Sequence, residues 1–394
     1  MISEGIALDQ RNLNSHLGRP LFSLYRPLSP KEQMRDGAIC WCGSGRKWAS
    51  CHRFRHLKKR LPDAALEAEF YTQAKHEVCL HPEAPKNCSA GSIRAHTIQR
   101  ATALRSIAED AHVLSGRNPR PGDNNEDILT RVGVNEASTF RGFCSYHDND
   151  TFKPSDLAKD ITSEVAFLLS YRALCYEIYM KMVAVPTLMM YRDHLDAGTN
   201  FAAQERTQQI LHAMIYTNSL GRDEHQRLKA NWDEVLLSKN YQDFKWASYT
   251  FSTPFPIVTS GAFFPEYDFG AKPLQQLDAP IGALALLAFN VIPIENLTRA
   301  IFGWLDNKQQ GADFLNSLDQ LRITDLGAAI IQFCFETSDN IFVRPSWWAS
   351  LARKQQIKLG ISLRNSTPAE RNPRGLIPVQ NLFSADLIEK LINF

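Results

Sequence analysis

Three cysteines and a histidine crowd into the thirteen residues CWCGSGRKWASCH, at Cys40, Cys42, Cys51 and His52. Three thiolates and one imidazole are the ligand set of a closed tetrahedral zinc site. A segment this short and polar cannot bury enough apolar surface to fold alone, so its fold has to be built around the ion. Gly43 and Gly45 let the backbone turn sharply about it, and Ser44 can direct its hydroxyl toward amides near the sulfurs. With all four positions filled by protein, such a site has no room for substrate, and its reading is a structural clip.

Six of the eight cysteines and eight of the eleven histidines precede residue 150, which concentrates the chemistry in the first part of the chain. The amino terminus, MISEGIALDQRNLNS, lacks the basic start and apolar core of a secretion signal. The apolar run IGALALLAFNVIPI at 281–294 is too short to span a bilayer. The expectation is a cytoplasmic protein with no membrane segment, in which clustered cysteines are metal ligands rather than disulfides. At 394 residues, 44% apolar and 22% charged, the chain is long enough for more than one compact unit. A net charge of +2 is too small to imply nucleic acid or an anionic membrane, so an electrostatic partner has to be read from local clusters.

One such cluster follows the first four ligands: Arg53, Arg55, Lys58, Lys59 and Arg60, beside Trp41 and Trp48. A basic stripe next to exposed aromatics suits nucleic-acid phosphate or an acidic protein surface; a solvated helix face is the plain alternative. The C-x-C-x8-C-H spacing with its CGSGRKW interior resembles the SEC-C motif, the small zinc module at the carboxyl end of the SecA translocation ATPase and on many other bacterial proteins. That resemblance covers about fifteen residues. It implies a bacterial source and a module that docks on a protein partner or the ribosome.

A second group is spread more widely. Cys79 and Cys88 bracket a proline-containing loop, and Cys144 and His147 stand as C-x2-H in TFRGFCSYHDNDTF. Together they make a second tetrahedral zinc set of split type, against the alternative of buried thiols with no ion. Between the halves, SIRAH reads as a short strand ending in His96, and residues 116 to 136 as a polar stretch that is mobile or forms a small ribbon. This order resembles an HNH-type nuclease finger of treble-clef form. The resemblance implies His96 as general base and Asp148, or Asp150, where the family has its final metal-binding histidine, with magnesium or manganese needed only if the chain is a nuclease. His96 as a hydrogen-bonded structural residue is the competing reading.

From Pro154 the pattern becomes helical. Ile161, Val165, Leu168, Tyr171, Cys175, Ile178 and Met182 recur at intervals of three and four, which places Cys175 in a core. Pro186 is expected to kink or end this helix, and a second helix from about Ala202 to Leu237 to break at Gly221. Beyond residue 245, β-branched and aromatic runs separated by Pro, Gly and Asn predict a small sheet, with NSLDQLRITDLGAAIIQFCFE as one covering helix. Asp339, Asn340, Arg344, Trp347 and Trp348 mark a candidate surface for stacking on a base or anchoring a protein partner; a tryptophan packed over the sheet, with the arginine pairing a nearby carboxylate, is the plainer alternative. No phosphate loop, dinucleotide motif or nucleophile elbow is present.

The expected fold is α+β: a zinc module with its basic stripe at 1–60, a second Cys/His zinc region at 61–153, long helices at 154–245 and an α+β domain at 246–394. Two functions follow from different classes. One is a metal-dependent nuclease acting on nucleic acid in a phage-defence or stress setting. The other is a non-enzymatic adaptor or sensor that binds a protein partner through the first zinc module.

Overall fold

A computed structural model describes residues 25–116, 129–277, 279–280, 282–305, 308–364 and 382–394. The amino-terminal segment read for a secretion signal and much of the 116–136 stretch lie outside them. The fold is mixed α+β and divides into two compact units.

The first unit comprises the described residues of 1–76, 178–228 and 278–283. It contains the Cys40–His52 loop, helix α1 (Asp63–Gln73), and parts of two long helices, α3 (Ser163–His194) and α4 (Phe201–Ser238). Both long helices run on through the residues expected to interrupt them. Pro186 sits among buried Val183, Val185, Thr187 and Leu188, and Leu188 packs with Leu211 and Ile215. That burial outweighs the roughly 3 kcal/mol a proline costs inside a helix. Gly221 does not break α4 either, since the helix runs on through it from Phe201 to Ser238. α3 is long and apolar enough to cross a membrane by length and composition, a feature the shorter run at 281–294 does not reveal, and 56% of its most apolar stretch is buried against the protein, as in a core helix.

The second unit takes in 77–177, 229–277 and 284–394. Its smaller part is an antiparallel pair of strands, β1 (Ser92–His96) and β4 (Thr139–Cys144), followed at once by α2 (Ser145–Asp156). Register pairs Ser92 with Cys144 and His96 with Thr139, so the strand end carrying His96 lies at the start of β4. Its larger part is a sheet of eight described strands in the order β10-β5-β8-β7-β6-β9-β2-β3. These are β2 (His112–Gly116), β3 (Leu129–Gly133), β5 (Lys245–Phe251), β6 (Ile257–Phe263), β7 (Leu287–Ile294), β8 (Leu297–Trp304), β9 (Ile341–Val343) and β10 (Leu387–Asn393). Within the 116–136 stretch, β3 pairs with β2, which precedes it, and this two-stranded ribbon extends the sheet.

Alternation along β7 shows how the sheet is used. Leu287, Phe289 and Val291 enter a core with α5 (Gln310–Asp319) and α6 (Leu326–Thr337), while Asn290 and Ile292 point to the other face. The segment expected as one covering helix is these two, separated by a turn at Ile323–Asp325. Cys175 and Cys334 are both wholly buried, and burial pushes the Cys175 thiol up to about 12, as in packed thiols.

Candidate metal centres and an adjoining cleft

The first four ligands converge. Their donor atoms all lie within 4.8 Å of one another, and the four residues are buried. His52 Nδ1 is 3.3 Å from the sulfurs of both Cys40 and Cys51, and Cys42 and Cys51 are 3.6 Å apart. A tetrahedral zinc with bonds of about 2.0 to 2.3 Å separates its ligand atoms by roughly 3.3 to 3.8 Å, so the set fits that ion, whereas a disulfide needs about 2 Å. Gly43 and Gly45 adopt φ of +75° and +73°, the left-handed region that the turn between the second and third ligands requires. Ser44 Oγ lies 3.1 Å from Cys42 Sγ and 3.5 Å from Cys51 Sγ, where its hydroxyl can donate to thiolate.

Behind the ligands stands a buried polar network that the sequence did not disclose. His52 Nε2 lies 3.0 Å from Asp196 Oδ2, which fixes Nδ1 as the metal-facing nitrogen. Asp196 also accepts from Arg55 Nε at 2.7 Å and from Gln208 Nε2 at 2.8 Å. Burial alone would push the Asp196 carboxyl up; His52, Arg55 and Gln208 outweigh it and hold it below its usual value. Arg55 is therefore withdrawn from the basic stripe, with 3% of its side chain exposed. Trp41 and Trp48, expected at the surface, are buried beside the ligands. Arg53, Lys58, Lys59 and Arg60 remain exposed, and Arg53 lies over the exposed ring of Phe54 at 4.8 Å.

Replacing Asp196 with Asn should weaken zinc binding at this site by about ten- to a hundredfold, because the carboxylate orients His52 and neutralises Arg55. A carboxyl held low stabilises the folded state above its unfolded value near 4, and that part is lost as pH falls through the lower folded value. The Asn variant lacks this acid dependence. Zinc competition with a chromophoric chelator, repeated as a pH series, measures both effects.

Cys79, Cys88, Cys144 and His147 also converge within 4.8 Å. His147 Nδ1 lies 3.4, 3.5 and 3.3 Å from the three sulfurs respectively. Cys144 ends β4 and caps α2, its sulfur accepting the His147 N–H at 3.4 Å, so the C-x2-H spacing is the first turn of a helix folded onto its own cap. His81 stacks on His147 with ring centroids 4.0 Å apart, and burial together with His147 pushes His81 down to about 4. His147 Nε2 is buried with no hydrogen-bond partner among the described residues, in contrast to His52.

Beside this second centre is a cleft of about 330 Å³ lined by His96, Asp148, Asp156 and Arg172, with Arg94 and Arg100 exposed at it. His96 Nε2 is buried there without a hydrogen-bond partner among the described residues, and so is Asp148 Oδ1. Burial, with Arg100 and Arg172 nearby, pushes the His96 imidazole below the ordinary histidine value, leaving it neutral at pH 7. Arg172 donates to both carboxylate oxygens of Asp156 at 2.8 and 3.1 Å and sits over Phe152 at 4.0 Å, with Asp148 at 3.9 Å. A charged residue within the apolar stripe of α3 was the signal in the sequence for Arg172. Asp150 is exposed and does not line the cleft.

Most of the carboxyl-terminal candidates are engaged with the protein itself, while Asp339 is exposed. Arg344 donates to the Ser106 carbonyl at 3.2 Å, Asn340 is buried, and Trp347 and Trp348 pack partly buried against the core, Trp348 stacking with Phe335 at 6.1 Å.

No curated protein and no solved structure matches this chain. Residues 38–53 match the family model of the SEC-C motif, a span that holds all four ligands of the first centre. The chain carries a SEC-C motif and, separately, a second Cys/His cluster able to hold a metal ion.

Proposed function

We propose that this chain is a metal-dependent nuclease that hydrolyses phosphodiester bonds of nucleic acid in the cleft beside the second metal centre. Zinc in both Cys/His centres is structural, and the SEC-C module with its exposed Arg53, Lys58, Lys59 and Arg60 docks on a protein partner. The observation that carries the reading is the presence of His96 and Asp148 in one cleft, each with a buried polar atom that has no hydrogen-bond partner among the described residues, the Asp148 oxygen standing 3.9 Å from Arg172. Buried polar atoms in folded proteins are mostly hydrogen-bonded, so two without such a bond among the described residues of one cleft mark it as a place where water or a ligand is held.

The chemistry of the chain follows from these positions. Neutral His96 takes a proton from water as it attacks phosphorus, and Arg94, Arg100 and Arg172 offset the phosphate charge. Asp156 holds Arg172 in place through its paired hydrogen bonds. The Asp148 oxygen that makes no hydrogen bond suits a hard divalent ion such as magnesium or manganese, which when bound would supply charge stabilisation to the leaving oxygen.

Purified protein is expected to cleave DNA or RNA only with added magnesium or manganese. His96→Ala should lower the rate about a hundredfold to ten-thousandfold while zinc content and melting temperature stay unchanged. Wild-type cleavage by that variant removes His96 as the base. No cleavage with either metal, together with a destabilised His96→Ala protein, leaves the adaptor reading in its place.

A further inference from the structure

A second recess, of about 90 Å³, adjoins the His96 cleft and shares Gln99, Asp156 and Arg172 with it. Its apolar surface comes from Ile98, Ala103, Leu169 and Ile292. Three of its lining residues each carry a buried polar atom with no hydrogen-bond partner among the described residues: Thr97 Oγ1, Arg172 Nε and Asn290 Nδ2. Asn290 is 1% exposed and Thr97 2%, so neither finds relief in bulk water. Each carries a hydrogen to donate, and a buried donor left unsatisfied costs about 1 to 3 kcal/mol.

β7 explains why Asn290 is notable. On the opposite face its neighbours Phe289 and Val291 fill the main core, and on its own face Ile292 lines the recess. An asparagine between them is an expensive choice unless something accepts from it. One ordered water needs about 10 to 15 Å³ of such space, so the recess holds several waters or one small planar ring. Asp156 and Glu295 also line it, which disfavours an anion there and leaves neutral acceptors such as ring carbonyls.

We infer that this recess is a nucleobase subsite that takes a single-ring, carbonyl-bearing base, with Thr97, Arg172 and Asn290 donating to its acceptors. The inference rests on the proposed nuclease reading for its phosphate: a nucleotide whose base sits here reaches the His96 cleft across the residues the two cavities share. The base is read by hydrogen bonds along its edge while apolar side chains cover its faces.

The test is binding of thymidine 3′,5′-bisphosphate and of its abasic counterpart to the full chain, by calorimetry without added divalent metal. The thymidine compound should bind at least about tenfold more tightly. Asn290→Asp, which turns a donor into an acceptor at constant shape, and Thr97→Val should each shrink that ratio by about three- to tenfold, with the abasic compound's affinity unchanged. Should Asn290→Asp fail to fold, Thr97→Val carries the comparison. Equal binding of the two compounds, no binding of either, or an unchanged ratio in a folded variant overturns the subsite. The two readings fail separately. His96-dependent cleavage with no preference for the base sinks the subsite alone, and base-dependent binding lost in Asn290→Asp but without any cleavage sinks the nuclease alone.

Discussion

Replacing Cys40 and Cys42 together with serine should release one zinc ion per chain and disorder the segment around residues 38–57, while the second ion and the eight-stranded sheet remain. The expected energy is about 10 kcal/mol or more, the scale on which structural zinc holds small modules. The reason is the poverty of this segment's core. The buried apolar side chains beside the ligands are two tryptophans, Trp41 and Trp48, with Leu28, Met34 and Phe201 partly buried against them. That is too little to order the loop without the ion. Loss of the loop also strips Asp196 of its contacts with His52 and Arg55, which are 2% and 3% exposed, and a buried charge stripped of its partner is worth about 3 to 5 kcal/mol. Helices α3 and α4 should therefore stay helical but melt earlier. Metal analysis by mass spectrometry and circular dichroism melts read both effects. An unchanged zinc count in the double variant would overturn the assignment.

How much of this was legible in the sequence differs between the two centres and their surroundings. Cys40, Cys42, Cys51 and His52 announce themselves because a local loop brings its own ligands together. Cys79, Cys88, Cys144 and His147 were readable as two halves, since each half sits on a recognisable local device, a knuckle and a strand-to-helix cap. What supports the ligands was not readable. Asp196, just after α3, meets His52, and Gln208 on α4 meets Asp196, only through tertiary packing, and no spacing rule connects His52 with residues 144 and 156 positions along. The same holds for Asn290, which β7 presents to a recess formed largely by residues far earlier in the chain. Helix breakers misled for the opposite reason: Pro186 and Gly221 carry local costs of about 3 and 1 kcal/mol, and burial in the folded unit exceeds both. Arg55 shows the limit of reading charge runs, because a cation that looks like part of a surface stripe is instead the buried counter-charge of a metal site.

The second centre should bind its zinc less tightly than the first, and losing that ion should silence the cleft. His52 passes its Nε2 to a carboxylate, whereas His147 Nε2 is buried without a partner among the described residues; such supporting contacts are worth about ten- to a hundredfold in affinity. Titration with a chelator should thus remove one ion well before the other, and Cys144→Ser should remove the same early ion. The geometric consequence is sharper than the energetic one. Cys144 joins β4 to α2, β4 pairs with the strand that ends in His96, and α2 carries Asp148, so the ion fixes both sides of the cleft relative to each other. The separation of Cys88 from Cys144 in the chain is little obstacle to a shared ion, since closure entropy grows only logarithmically with loop length and the β1–β4 pairing already spans much of it. On the nuclease reading proposed above, Cys144→Ser is expected to lose cleavage by at least the hundredfold expected for His96→Ala, but with one ion fewer, where His96→Ala is expected to keep both. Two ions retained in the serine variant would show that Cys144 is no ligand. Full cleavage after the weaker ion is stripped would show that the strand pair and helix hold the cleft without it.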